Sequence, residues 1–535
     1  MTSQPVKLAR RPGSGNNPLR AMTLAVGLCC LSPAVWAQAG DPLRTSVEKA
    51  IQGNPEVAAR FNAYRASDDA IAVVKGGFLP RIDLDANAGR DRDTFKNRTP
   101  QSQTLSRTGV GLTLTQLLWD GLATSNDVSR LGHDKLARYF ELIDTTEQIA
   151  LEAARAHYDV TRYRRLVELA EDNYVQHKYA ALQIQSRFQA GVGRGVDAEQ
   201  VNARLALAES NMTTELANLH DVTARYQRLV GDSPPAQLPV PPLLQQAVPA
   251  TANEVAANAI QRSAAVSASI EALRAARSTT KVREAAYQPR IEARLNGGAG
   301  RNYQSTVDQT RSATAEIVLS WNLFNGGSDR ARVRQSVNLV NQAADLRDKA
   351  CRDARQTAAI AFNDTRKLTE QLTYLDRNTR SIEKARDAYR QQFDTGVGQR
   401  SLLDLLNAEN EVYTARRSLA NAQFDQGVAY VRTHAAMNNL VAALGLARPD
   451  TGQNDADNWS AGDDAPGRCP ALVPDVPPIK RTELDARADQ MIKANPAGGG
   501  AVTPPAVPSM QAPGVPPKPL PAPRPSKRRS TTSPN

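Results

Sequence analysis

Side chains able to do chemistry are few and widely spaced in this chain. The five histidines, His133, His157, His177, His220 and His434, have no spacing that would converge on a metal. His177 falls on an apolar helical seam, where a packed imidazole is expected. There is no nucleophile elbow, phosphate-binding Walker loop or dinucleotide fingerprint. No enzymatic reaction and no cofactor is therefore expected. Of the four cysteines, Cys29 and Cys30 lie near the N-terminus, Cys351 falls on a helix and Cys469 in a tail. That is no disulfide framework. What remains is a small group of charged and amide side chains, Glu199, Arg400, Asp404 and Asn407, standing in two copies of one local motif.

The motif fixes everything else by distance. Phe188, Gly191-Val192-Gly193, Glu199 and Asn202-Ala203 recur 205 residues later as Phe393, Gly396-Val397-Gly398, Asp404 and Asn407-Ala408. Each copy joins two long apolar-periodic runs through a Gly-x-Gly break. Glycine tolerates the left-handed backbone that a sharp reversal needs, so each copy reads as the tip of a helical hairpin.

The elements that carry the tips follow from periodicity. From Asp41 to about Phe78 the pattern is helical, interrupted at Asn54-Pro55, where proline suits the first turn of a new helix. At Leu79-Pro80 the period becomes two. Ile82, Leu84, Ala86 and Ala88 alternate with charged and polar neighbours, and a polar segment, Arg90 to Arg107, separates them from Val110, Leu112 and Leu114. After Trp119-Asp120-Gly121 a helical seam runs through Ile149, Val160, Val167 and His177 to Phe188, over more than five heptads. At 1.5 Å per residue that helix is about 100 Å long. The return helix offers Ala203, Ser210, Ala217 and Ala224 at seven-residue spacing, small enough for close helix packing. A proline-rich linker spans Pro234 to Pro249. The second half repeats this order. It has a helix from about Ala250 to Ala286, strands at Ile291 to Leu295 and Ala313 to Leu323, and a loop from Gly297 to Arg311. The Phe324-Asn325-Gly326 junction follows, with a seam from Ala354 to Phe393 that includes Arg386, and an alanine row from Ala408 to Ala443.

These signals divide the chain into a leader, 1–37, two structural repeats, 38–249 and 250–447, and a Pro-rich tail, 448–535, expected to lack structure. Four basic residues precede the apolar run Ala21 to Leu31, and Val35-Trp36-Ala37 offers a cleavage site. Cleavage there is favoured over a lipid on Cys29 or Cys30, which are not preceded by the small residues such an anchor expects. Four of the eleven net positive charges belong to this leader. Elsewhere basic residues alternate with acids along helices, and aromatics are only 5%. That is a solvated surface rather than a nucleic-acid footprint.

Amphipathic strands and very long helices restrict the architecture. Four strands cannot enclose a useful lumen, and an open sheet edge cannot face lipid. An exported chain of this pattern must contribute strands to a barrel shared among copies, apolar side outward and polar side toward water.

In this order of elements the chain resembles the TolC family of outer-membrane channel-tunnels over roughly Asp41 to Leu446. Gln116 to Gly121 and Trp321 to Gly326 resemble its strand-to-helix junctions, and Gly398 to Asn410 its second periplasmic tip. The resemblance implies an α+β membrane protein. Internally duplicated long antiparallel coiled-coil hairpins would join four strands per protomer, pooled in a homotrimer as a twelve-stranded β-barrel. It implies a place in the outer membrane of a Gram-negative bacterium, in contact with its lipid, with helices in the periplasm. It implies docking to a periplasmic adaptor and an inner-membrane ABC or RND-type pump.

It also implies roles for the opening residues. Asp404, repeated on a threefold axis, would form an acidic constriction attracting cations. The bland alternative is an acid favoured near a helix start. Asn407 stands where the family commonly has a second acid, which predicts a weaker cation site. Arg400 would bond Glu199 on the first tip and hold the tunnel shut. Gly191, Val192, Gly193, Gly396, Val397 and Gly398 would meet the adaptor. Trp119, Trp321 and Phe324 are candidates for an interfacial aromatic girdle, or equally for plugs at the strand-helix junctions. The run Asn407 to Leu419 resembles secretion-associated members, so the expected function is a passive exit duct for type I protein secretion. The alternatives are drug or metal efflux, and a periplasmic coiled-coil scaffold without a pore.

Overall fold

The computed structural model describes residues 41–94, 96–97, 99–302, 307–395, 402–452, 456–474 and 479–494. The leader and its cleavage site lie outside the described residues. The first repeat opens with two helices, α1 (Pro42–Gly53) and α2 (Pro55–Lys75). Asn54 separates them by accepting a hydrogen bond from Glu56 N (2.9 Å), while Pro55 begins the new helix with no donor to satisfy. Two strands follow, β1 (Arg81–Thr94) and β2 (Ser102–Trp119). The long hairpin is α3 (Ala123–Gln189) and α4 (Gly195–Val230). With 67 residues, α3 is about 100 Å long.

The second repeat gives α5 (Ala252–Arg262), α6 (Ala264–Glu284), β3 (Arg290–Arg301), β4 (Gln309–Ser320), α7 (Ser328–Thr395) and α8 (Leu402–Ala436). The single helix expected from Ala250 to Ala286 is thus two. Ser263 makes the break, its hydroxyl accepting from Val266 N (3.3 Å), and so mirrors Asn54 without a proline to announce it. A short helix α9 (Leu440–Ala443) completes this half.

The strands form one antiparallel sheet in the order β1-β2-β3-β4, so the two repeats meet at the β2–β3 pairing. They are longer than the alternation predicts. Pairing continues to Thr94↔Ser102 and to Arg301↔Gln309, through residues expected to be loops. In those stretches neither face is apolar, so the two-residue signal vanishes while the backbone ladder persists. Ile82, Leu114 and Leu295 stand in one row and Leu84 and Leu112 in the next. This face is open: Leu84 is 69% and Ile317 73% exposed. The other face carries Arg81, Asp83, Asp85, Arg290, Glu292, Arg294 and Glu316 around a concavity of about 930 Å³. Among the described residues β1 and β4 each keep one unpaired edge.

The helices bury a seam close to the one read from sequence. On α3, Ile149, Ala153, Ala156, Val160, Val167, Ala170, His177, Ala181 and Ile184 are buried, whereas Phe188 is 44% exposed. On α8, Ala408, Ala415, Ala422 and Ala429 are buried as expected. The corresponding row on α4 is not. Ala203, Ser210, Ala217 and Ala224 are exposed, and the buried heptad is Val201, Ala208, Glu215, Val222 and Leu229. The cause is unequal surroundings. The helix α8 packs against both α7 and α3, while α4 packs mainly on α3.

Two expectations about the C-terminus are corrected. Residues 456–473 are not a loose tail but part of the same compact unit as the helices, and Cys469 is bonded to Cys351 of α7. The bridge closes a 118-residue separation with no periodic signal at either end. The second unit begins at Pro474 and contains α10 (Arg481–Ala494), whose side chains are all exposed. No described helix is long and apolar enough to cross a membrane.

Candidate functional site

The first tip is a tight reversal. Gly191 takes φ +75°, and Val192 N donates to Arg187 O (3.1 Å) to close the end of α3. A Cβ on Gly193 would lie 2.9 Å from Phe188 N, so this position also requires glycine. Val192 is 80% exposed at the end of this hairpin. Gly396, Val397, Gly398 and Arg400 lie outside the described residues, between α7 and α8. The two hairpin ends lie side by side. Arg187 sits over the Phe393 ring at 5.2 Å, Arg390 Nη2 donates to Gln176 Oε1 (2.8 Å), and Leu406 packs among Ala180, Ala181, Ile184, Ala198 and Val201.

Of the candidate gate residues, Asp404 is half-buried in the first turn of α8. Asn407 is exposed and accepts from Arg204 Nη2 of α4 (2.8 Å). Glu199 is exposed one turn and a half before Arg204. The structure therefore links the two hairpins at Asn407, through Arg204.

Sequence reasoning missed the polar network just above. Glu409, one turn beyond the candidate gate, is 7% exposed and accepts from Arg386 Nη1 (3.1 Å) and Arg390 Nη2 (2.6 Å). Burial disfavours the Arg386 charge, but Glu409 and Asp387 outweigh it and hold its pKa above the ordinary value. Arg416 Nε meets Glu383 (2.7 Å), joining α8 to α7 again, and Arg417 meets buried Glu215 of α4 (2.7 Å). A signal was present: Arg386 occupies an apolar seam position, where a charge must find a partner. His177 is buried as predicted, its Nδ1 paired with Asn173 O (2.8 Å), and burial lowers its pKa.

At the opposite end, the strand-helix junctions share one construction. Gly121 has φ +68°, and a Cβ there would collide with Gln288. Asp120 accepts from Thr124 N (2.9 Å), and Asn325 likewise from Asp329 N (3.4 Å), so the acid or amide before each glycine caps the helix that follows. Trp119, Trp321 and Phe324 are 41%, 54% and 84% exposed. Trp321 still directs its indole N–H to Tyr287 O (3.2 Å).

A family model described as outer membrane efflux protein matches residues 46–231 and 255–445, the two repeats found above. The chain belongs to the outer membrane efflux protein family. It is 24% identical over 413 residues to the outer membrane efflux protein BepC of Brucella suis, covering 77% of this chain and 88% of that one. It is 24% identical over 406 residues to the alkaline protease secretion protein AprF of Pseudomonas aeruginosa, covering 72% and 81%. Among solved structures it shares the fold of the Campylobacter jejuni CmeC outer membrane channel, with TM-score 0.68 and 15% identity over 78% of this chain and 89% of that one. The protein is an outer-membrane exit channel component with a periplasmic helical part, of a family of passive conduits.

Proposed function

We propose that three copies of this chain form a conduit for polypeptide export, working with a periplasmic adaptor and an inner-membrane ABC-type pump. The observation that carries the assembly is the sheet with two open edges, apolar on one face and polar on the other. Edges of this kind are not tolerated in lipid, and three sets of four strands make a twelve-stranded cylinder with none. The exposed alanine row of α4 supports the same reading. Its repeat equivalent in α8 is buried between helices, so α4 carries seam residues that a neighbouring copy would cover. Trp119, Trp321 and Phe324 then take the interfacial girdle role, and the tip glycines the adaptor contact.

Asp404 would line the entrance, with the neutral Asn407 held back by Arg204, and Arg400 with Glu199 would add an inter-hairpin latch. Protein cargo is favoured by the similarity to a protease secretion protein; drug efflux is the second reading, on the similarity to an efflux protein. Deleting the gene in its own host and measuring both the secreted proteome and drug sensitivity separates them. Loss of a secreted polypeptide with unchanged drug sensitivity is expected. Unchanged secretion with drug hypersensitivity would transfer the assignment to efflux.

A further inference from the structure

Residues 456–473 run back across three helices. Trp459 meets Phe140 of α3 edge-on (centroids 4.8 Å apart), and its indole Nε1 donates to Glu271 of α6 (2.7 Å), a carboxylate with no exposed surface. Asp464 accepts from Arg274 Nε (2.9 Å) and from Arg277, both on α6, while its carbonyl accepts from Arg347 Nη1 of α7 (3.1 Å). Further on, Pro470 O accepts from Arg355 of α7 (3.2 Å), and Cys469 is joined to Cys351 of α7. The helix α6 leads into β3 through the turn Ala285–Tyr287, and α7 begins after β4. The segment thus ties together the two helices from which the β3–β4 hairpin rises. In the first repeat the equivalent helices are joined by side-chain pairs such as Lys135–Asp68 (2.9 Å) and Arg60–Glu141 (3.3 Å), with no such segment across them among the described residues.

We propose that this segment is a strap, locked by oxidation of Cys351 and Cys469 after export. The locked strap makes α6 and the upper part of α7 one rigid body, so that movement of the α7–α8 hairpin is confined to its tip-proximal length. Closing the lock forms one S–S bond from two thiols. The two protons and two electrons pass to the disulfide of a thiol–disulfide oxidoreductase, which departs as a dithiol. Cys351 is fully buried and Cys469 is 8% exposed in the docked strap. The exchange partner must therefore act before docking is complete, and docking then shields the bond from reductants.

The test uses the folded channel in detergent, with the leader 1–37 removed. A chain beginning after Ala37 carries only these two cysteines. Labelled in denaturant, so that burial hides no thiol, the protein should show no maleimide-polymer mass shift without reductant and a shift of two thiols after prolonged reduction. Trp459→Ala loosens the strap while keeping both cysteines, and should speed native-state reduction about tenfold or more. After reduction, amide exchange in α6 and around Arg347 to Arg355, and tryptic cleavage at Arg468, should rise by at least about tenfold. Cys351→Ser with Cys469→Ser should reproduce the reduced protein; should that variant fail to fold, the protein reduced after folding gives the answer. Two alkylatable thiols in the unreduced protein labelled in denaturant, or unchanged exchange in α6 after verified reduction, would overturn the proposal.

Discussion

Replacing Glu409 by leucine tests whether the buried charges near the tip act as a unit. Glu409 is 7% exposed and bonded to two arginines of α7. Arg386 retains only 15% side-chain exposure, so losing its partner leaves a largely desolvated guanidinium. Breaking a buried pair from one side costs about 3–5 kcal/mol. Arg390 is 42% exposed and can turn to water, so its share is at most about 1 kcal/mol. Arg386 also keeps Asp387 (2.7 Å), which offsets part of the loss. The expected destabilisation by Glu409→Leu is therefore about 3 kcal/mol per copy. Adding Arg386→Leu should restore most of it, because an apolar pair of similar volume replaces the ion pair without a stranded charge. Urea unfolding of the detergent-solubilised protein, followed by helical circular dichroism, reads both values. A single variant within about 0.5 kcal/mol of wild type, or a double variant less stable than the single, would refute this reasoning.

Three further outcomes are expected. His157 is buried on α3, with Nδ1 3.0 Å from Ser46 Oγ, and burial lowers its pKa to about 4. Near pH 7 both states hold it neutral; between about pH 6.5 and 4 only the unfolded chain takes up the proton, so stability falls by about 3 kcal/mol as pH drops, then levels off. Burial raises the pKa of Glu147, Asp144 and Asp159, which act in the opposite sense, so the difference between wild type and His157→Gln is the quantity to follow, and parallel pH curves would contradict the assignment. Gly427 of α8 lies against the Tyr158 ring so closely that a Cβ would overlap it. Gly427→Ala should lower thermal stability by about 1–3 kcal/mol despite the better helix former, and a gain in stability would show that the helices part freely. Asp404→Asn should reduce cation-over-anion permeability in a planar bilayer, and an unchanged reversal potential would leave Asp404 as an ordinary first-turn acid.

Much of the fold was legible because long amphipathic elements announce themselves. The seam from Ile149 to Ile184 needed only hydrophobic periodicity, and the duplication supplied the second hairpin. The errors have separate physical origins. Repeated sequence is not repeated environment: the alanine row is buried on α8 but exposed on α4, because only α8 sits between two helices. Strand ends at Thr94 and Arg301 were hidden because backbone pairing needs no apolar face. The strap was hidden because it docks through single anchors, Trp459, Asp464 and Cys469, with no period to detect. Near the tip, sequence pointed to Asp404 and Asn407, while the buried ion pair belongs to Glu409 and Arg386, whose pairing spans 23 residues across a hairpin.

On the proposed assembly, one chain supplies an open third of a lipid-facing cylinder. The mass of the protein part of the detergent-solubilised particle, measured by light scattering with refractive-index and absorbance detection, tests it most directly. Three copies are predicted, with the trimer lost when Ile317, exposed on the apolar face of edge strand β4, is replaced by aspartate. A stable single copy, soluble in water without detergent, would contradict the account.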